Sequence, residues 1–91
     1  MEPLALLDET KAALRVLLFV SRHEGTNITE IIRSMQVGQK AIYTALKTLN
    51  NLNLIEEKTG SRFPYPRLFY LTEKGQNVAE RLIEIERLLK T

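Results

Sequence analysis

The sequence predicts a small, mainly α-helical domain carrying one β-hairpin. Three observations carry this expectation. Apolar residues recur at helical spacing through most of the chain. Two short β-prone runs, LIEEK and RLFYL, flank the turn-rich stretch TGSRFPYP. The final segment repeats Val78, Leu82, Ile85 and Leu89 in a heptad-like stripe. With 91 residues, the chain is expected to be one domain, 1–91, near the lower size for a single core.

Pro3 suits a first helical turn, and Leu4, Leu7, Ala13, Leu14, Leu17 and Leu18 then follow at helical spacing. One helix is expected here, ending near His23 to Gly25, where glycine supplies a stop. VLLFV at 16–20 is apolar all round, so burial on a second side, by another subunit, is expected. In TNITEIIRSMQVG, Asn27 or Thr29 can cap a short helix whose apolar face is Ile31, Ile32 and Met35. A third helix starts near Gln39. Ile42, Ala45, Leu46, Leu49 and Leu52 form its apolar stripe, opposite Gln39, Lys40, Tyr43, Thr44 and Lys47.

The stretch LKTLNNLNLIEE sets asparagines among leucines. Asn50 and Asn51 fall off the apolar stripe, and Asn53 suits the left-handed residue that ends a helix. The helix therefore stops near Leu52, and a strand begins at Leu54 and Ile55. Strands at 54–58 and 67–71 enclose a tip stiffened by Pro64 and Pro66. Phe63 and Tyr65 in that tip are expected to fold back onto the hairpin rather than touch a base. Thr72 begins the last helix, 72–91, which must pack either on the domain's core or on a partner's copy.

Composition narrows the function classes. No cysteine is present, which excludes disulfides, thiolate metal sites and a cysteine nucleophile. His23 is the only histidine, and Glu56 and Glu57 are consecutive on a strand, facing opposite ways. With no glycine-rich phosphate loop and no metal-ligand cluster, neither an enzyme nor a cofactor is indicated. No signal-like start and no membrane-length apolar run occur, so a cytoplasmic protein without membrane contact is expected. Charge is uneven. Residues 1–30 carry three bases and five acids, residues 31–72 six bases and two acids, and residues 73–91 four of each. A basic centre between neutral or acidic ends suggests one basic face.

The order helix, short helix, amphipathic helix, basic hairpin, long helix is that of a winged helix-turn-helix. AIYTALKTLNNLNLIEE followed by PRLFYLTEKG resembles the PadR-like branch of winged-helix transcription regulators, with the MarR-like group close behind. The pattern falls on Ile42, Tyr43, Leu46 and Leu49, then Leu54 and Ile55, then Leu71 to Gly75, with Asn53 in place of the common glycine. The resemblance covers roughly residues 12–77. It implies that the third helix reads double-stranded DNA, and its polar stripe suits that role in its own right. Gln39 fits an adenine edge, and Lys40 a guanine edge or phosphate. Tyr43 and Thr44 suit base or phosphate, and Lys47 phosphate. On the wing, Arg62 is the candidate for the adjacent minor groove, whereas Arg67 at its base suits phosphate or an acidic partner.

One copy offers few contacts, so a homodimer joined through residues near 4–20 and 76–90 is expected to read two half-sites. Two other readings share these residues: an architectural, weakly specific DNA-binding protein, and a winged helix reused for protein interaction. A cavity between the wing and the dimer helices would leave room for a small-molecule effector, but no residue set argues for a particular ligand.

Overall fold

The computed structural model describes residues 2–91; Met1 lies outside them. Five helices and one hairpin follow in order: α1 (Pro3–Glu9), α2 (Ala13–Arg22), α3 (Ile28–Ser34), α4 (Gln39–Asn51), β1 (Ile55–Thr59), β2 (Arg67–Leu71) and α5 (Glu73–Lys90).

The single N-terminal helix expected from sequence is in fact two. Between Leu7 and Ala12 the chain reads Asp8-Glu9-Thr10-Lys11, so no apolar residue follows Leu7 one turn later. The helix breaks there, with Ala12 in the left-handed region at φ 65°. Thr10 closes α1 by donating its hydroxyl to the Leu6 carbonyl at 2.7 Å. The same hydroxyl lies 3.2 Å from that of Thr48, a buried residue of α4. The break thus folds α1 against α2 and α4 and gives a buried hydroxyl its partner.

α2 is the centre of the core. Its Ala13, Val16, Leu17 and Val20 are buried, and it packs on α4, α5 and β2 as well as α1. Of VLLFV, Val16, Leu17 and Val20 are buried within the chain, whereas Leu18 and Phe19 are only half-buried. α3 is capped as its sequence suggests, the Asn27 side-chain oxygen accepting from the Glu30 backbone N–H at 2.9 Å. Residues 35–38 turn into α4, which buries Ile42, Ala45, Leu46, Thr48 and Leu49.

Asn53 follows α4 in the left-handed conformation, φ 65°, and ends it. A valine there would force a β-branched side chain into that region, costing about 1–2 kcal/mol. Asn53→Val should therefore lower the urea midpoint clearly, while Asn53→Gly leaves it nearly unchanged.

The hairpin pairs antiparallel from Ile55↔Leu71 to Thr59↔Arg67. Ile55, Phe69 and Leu71 share the inner face and are buried. The second edge of β2 is not bare, because the loop after α2 reaches it. Gly25 N–H donates to the Phe69 carbonyl at 2.9 Å, and Phe69 N–H to Thr26 at 2.8 Å. Gly25, at φ 88°, makes that approach possible.

α5 divides into two halves. Gly75, Val78, Ala79 and Leu82 pack on the body. Towards the other end an Arg22–Glu86 ion pair at 3.2 Å ties α5 to α2. Ile85, Leu88 and Leu89 are exposed, the last two at 72% and 80%.

Candidate nucleic-acid interface

All five residues of the α4 polar stripe face outward. Gln39, Lys40, Tyr43, Thr44 and Lys47 are exposed, on the side opposite the buried Ile42, Ala45 and Leu49. The stripe spans roughly 12 Å along the axis at 1.5 Å per residue. It holds no carboxylate, and among the described residues neither lysine takes part in an ion pair. A cationic surface with amide and hydroxyl groups between its charges results.

The wing stands beside this stripe. A groove of about 470 Å³ separates them, lined on α4 by Tyr43, Leu46, Lys47 and Asn50 and on the wing by Glu57, Arg67 and Phe69. Tyr43, Lys47 and Arg67 thus meet around one opening. Gln39, Lys40 and Thr44 share the helix face outside it, and Arg62 stands apart in the wing tip.

Arg67 is engaged. Its guanidinium donates to the Glu57 carboxylate at 2.7 Å, and that hydrogen bond, followed by the charge of Glu57, pushes its pKa above the ordinary arginine value. Sequence reasoning offered Arg67 phosphate or an acid, and the structure supplies the acid. Glu57 itself was missed. Its register opposite Phe69 sets it on the inner face, two residues from the level of Arg67, a neighbourhood visible only once the strands are paired. Lys58 is also held, 3.6 Å from Glu56 and 4.9 Å from the centroid of the Tyr70 ring. Of the three wing cations, Arg62 alone makes no ion pair among the described residues.

The tip corrects one expectation. Phe63 and Tyr65 do not fold back on the hairpin; they are 85% and 55% exposed and pack edge-to-face on each other, centroids 6.0 Å apart. The return through Pro64 and Pro66 gives the short loop no apolar surface to fold onto.

Helix-turn-helix, outward basic stripe and adjoining hairpin define a winged helix-turn-helix domain, and similar chains share that architecture. The HTH-type transcriptional regulator PetP of Rhodobacter capsulatus is 31% identical over 81 residues, 89% of this chain and 49% of PetP. The chain therefore spans about half the length of this relative. A possible HxlR family transcriptional factor from Thermoplasma volcanium superposes with a TM-score of 0.84 at 22% identity, over 99% of this chain and 80% of that one. FabT of Streptococcus pneumoniae, in complex with DNA, superposes with a TM-score of 0.78 at 13% identity, over 90% of this chain and 57% of FabT. No protein-family model matches the chain, so the PadR-like branch rests on the sequence motifs alone.

Proposed function

We propose that the chain binds double-stranded DNA sequence-specifically as the reading domain of a cytoplasmic, homodimeric transcription regulator, with α4 in the major groove and the wing toward the minor groove or backbone. The observation that carries this reading is the outward stripe Gln39–Lys40–Tyr43–Thr44–Lys47, free of acids and flanked by the wing. Amide and hydroxyl groups suit base edges, and the lysines suit phosphates. PetP, named a transcriptional regulator, and the FabT–DNA complex support the same reading. The exposed Leu4, Ile85, Leu88 and Leu89 supply apolar surface for the second copy.

Titration on genomic fragments at two salt concentrations tests it. Tight binding to a few fragments, with an affinity that falls as salt rises, is the expected result. No binding at low salt overturns DNA binding altogether, and equal binding to every fragment overturns specificity. Light scattering at micromolar concentration tests the dimer, which a clean monomer would refute.

The Glu57–Arg67 pair adds a prediction of opposite sign from most interface variants. Glu57→Gln removes a carboxylate from the groove and releases Arg67 toward phosphate. Affinity should rise severalfold, with the log–log salt slope steeper by up to about 0.9 per copy. Because the pair is solvent-exposed, stability should change by less than about 1 kcal/mol.

A further inference from the structure

The wing tip holds two aromatic rings in water at the end of a braced loop. Gly60 N–H donates to the Pro66 carbonyl and Tyr65 N–H to the Arg62 carbonyl, both at 2.7 Å. Tyr65 sits in the left-handed region at φ 56°, which a non-glycine residue adopts at a cost. The result presents Phe63 outward with Tyr65 against its edge. Two prolines and two backbone hydrogen bonds make the presentation rigid, so little conformational entropy remains to be lost on contact.

The charges around the rings select what they meet. From Lys58 to Thr72 the chain carries Lys58, Arg62 and Arg67 and no acid. Lys58 and Arg67 are paired with Glu56 and Glu57 on the strands, so the tip itself offers an apolar point beside one cation, Arg62, that makes no ion pair among the described residues. That suits a polyanion with apolar surface of its own, which a duplex offers in its sugar walls and base steps. A second copy of the tip would bring like charges together. An anionic membrane would meet the tip alone, whereas a duplex lying along α4 passes both the stripe and the wing, whose root shares a groove with Tyr43 and Lys47.

We propose that Phe63, braced by Tyr65, is an apolar wedge that enters the minor groove beside the α4 site and bends the duplex; this rests on the DNA-binding reading above. Arg62, next in sequence, then supplies charge at the groove mouth and Phe63 the deformation.

The test uses the full chain and an end-labelled A·T-rich duplex of about three helical turns, with affinity by titration and bending by energy transfer. Phe63→Ala should weaken binding about tenfold and reduce the bend, with an unchanged salt slope because no charge is lost. Phe63→Leu, which keeps an apolar wedge, should retain most of both. Arg62→Ala should instead lower the slope by about 0.9 per copy. Unchanged thermal melting of Phe63→Ala, expected for so exposed a side chain, separates these effects from misfolding.

If the wild-type chain binds no duplex, the DNA reading itself fails. If it binds and Phe63→Ala matches it in affinity and bend, only the wedge fails. Loss of binding to phosphatidylglycerol vesicles without loss on the duplex, or a changed oligomeric state, would also overturn the wedge by assigning the rings to a membrane or to a second copy.

Discussion

Gly75→Ala should be the most destabilising single-methyl change in the molecule. In an exposed helix, alanine is favoured over glycine by about 1 kcal/mol. Here the sign reverses. A Cβ on Gly75 would overlap the Leu54 carbonyl oxygen, a backbone atom that cannot swing aside. That oxygen already accepts from the Thr72 N–H at 3.1 Å. The Thr72 hydroxyl accepts from the Gly75 N–H at 2.9 Å and donates to the Asn53 carbonyl at 2.7 Å. Lys74 donates to the Leu52 carbonyl at 3.1 Å. Backing α5 away to admit the methyl strains or breaks these bonds together. A net loss of about 3 kcal/mol is expected, the upper end for overpacking. For a domain of this size that lowers Tm by roughly 12 to 24 °C. Thr72→Ala, which removes the cap but adds no clash, should cost about 1 kcal/mol. Calorimetry on the two variants checks both figures, and a Tm for Gly75→Ala within a few degrees of wild type would refute the close approach.

The same contacts give the Leu71–Gly75 motif a physical meaning. Its residues fasten the start of α5 to the corner where α4 ends and the wing begins. Asn53 turns that corner, and Thr72 and Lys74 bond the carbonyls of Asn53 and Leu52 on either side of the turn. The two motifs, far apart in sequence, are halves of one joint. It fixes where the wing leaves α4, and hence where Arg62 and Phe63 stand relative to Lys47.

How much of this was legible in the sequence depended on range. Asn27, Asn53 and the cap that Thr72 gives the Gly75 N–H act within a turn of themselves, and the structure finds each where its local chemistry predicts. The α4 stripe was legible because helical periodicity alone separates Ile42, Ala45 and Leu49 from Gln39, Tyr43 and Lys47. The break at Ala12 was half legible. The gap after Leu7 was visible, but the reason to fold back, a Thr10–Thr48 contact, lies in tertiary packing. The bridge from Thr26 to Phe69 and the Glu57–Arg67 pair join distant segments, and no periodicity reports them. The exposed Phe63 defeated the ordinary expectation that aromatic rings find cover.

Lys47→Ala should produce the largest functional loss, and its form matters more than its size. Lys47 is exposed on the third turn of α4, at the edge of the groove shared with the wing. With α4 in the major groove and the wing toward the minor groove, as proposed, Lys47 would face the phosphates that separate the two grooves. Removing one phosphate contact lowers the log–log salt slope by about 0.9 and, near 0.1 M salt, weakens binding by roughly tenfold per copy. In a dimer both copies lose the contact, so roughly a hundredfold loss is expected. Because phosphates carry no sequence information, this loss should be the same on every duplex tested. Gln39→Ala should behave in the opposite way, leaving the slope intact. It should erase about 1–3 kcal/mol of discrimination at one base pair, the worth of a lost bidentate contact. Selection from a random duplex pool with each variant, followed by titrations at several salt concentrations, distinguishes the two. If Lys47→Ala changed the preferred sequence, Lys47 would be reading a base. If Gln39→Ala weakened all sequences alike, α4 would be gripping the backbone, and specificity would have to come from the shape and bending of the duplex instead.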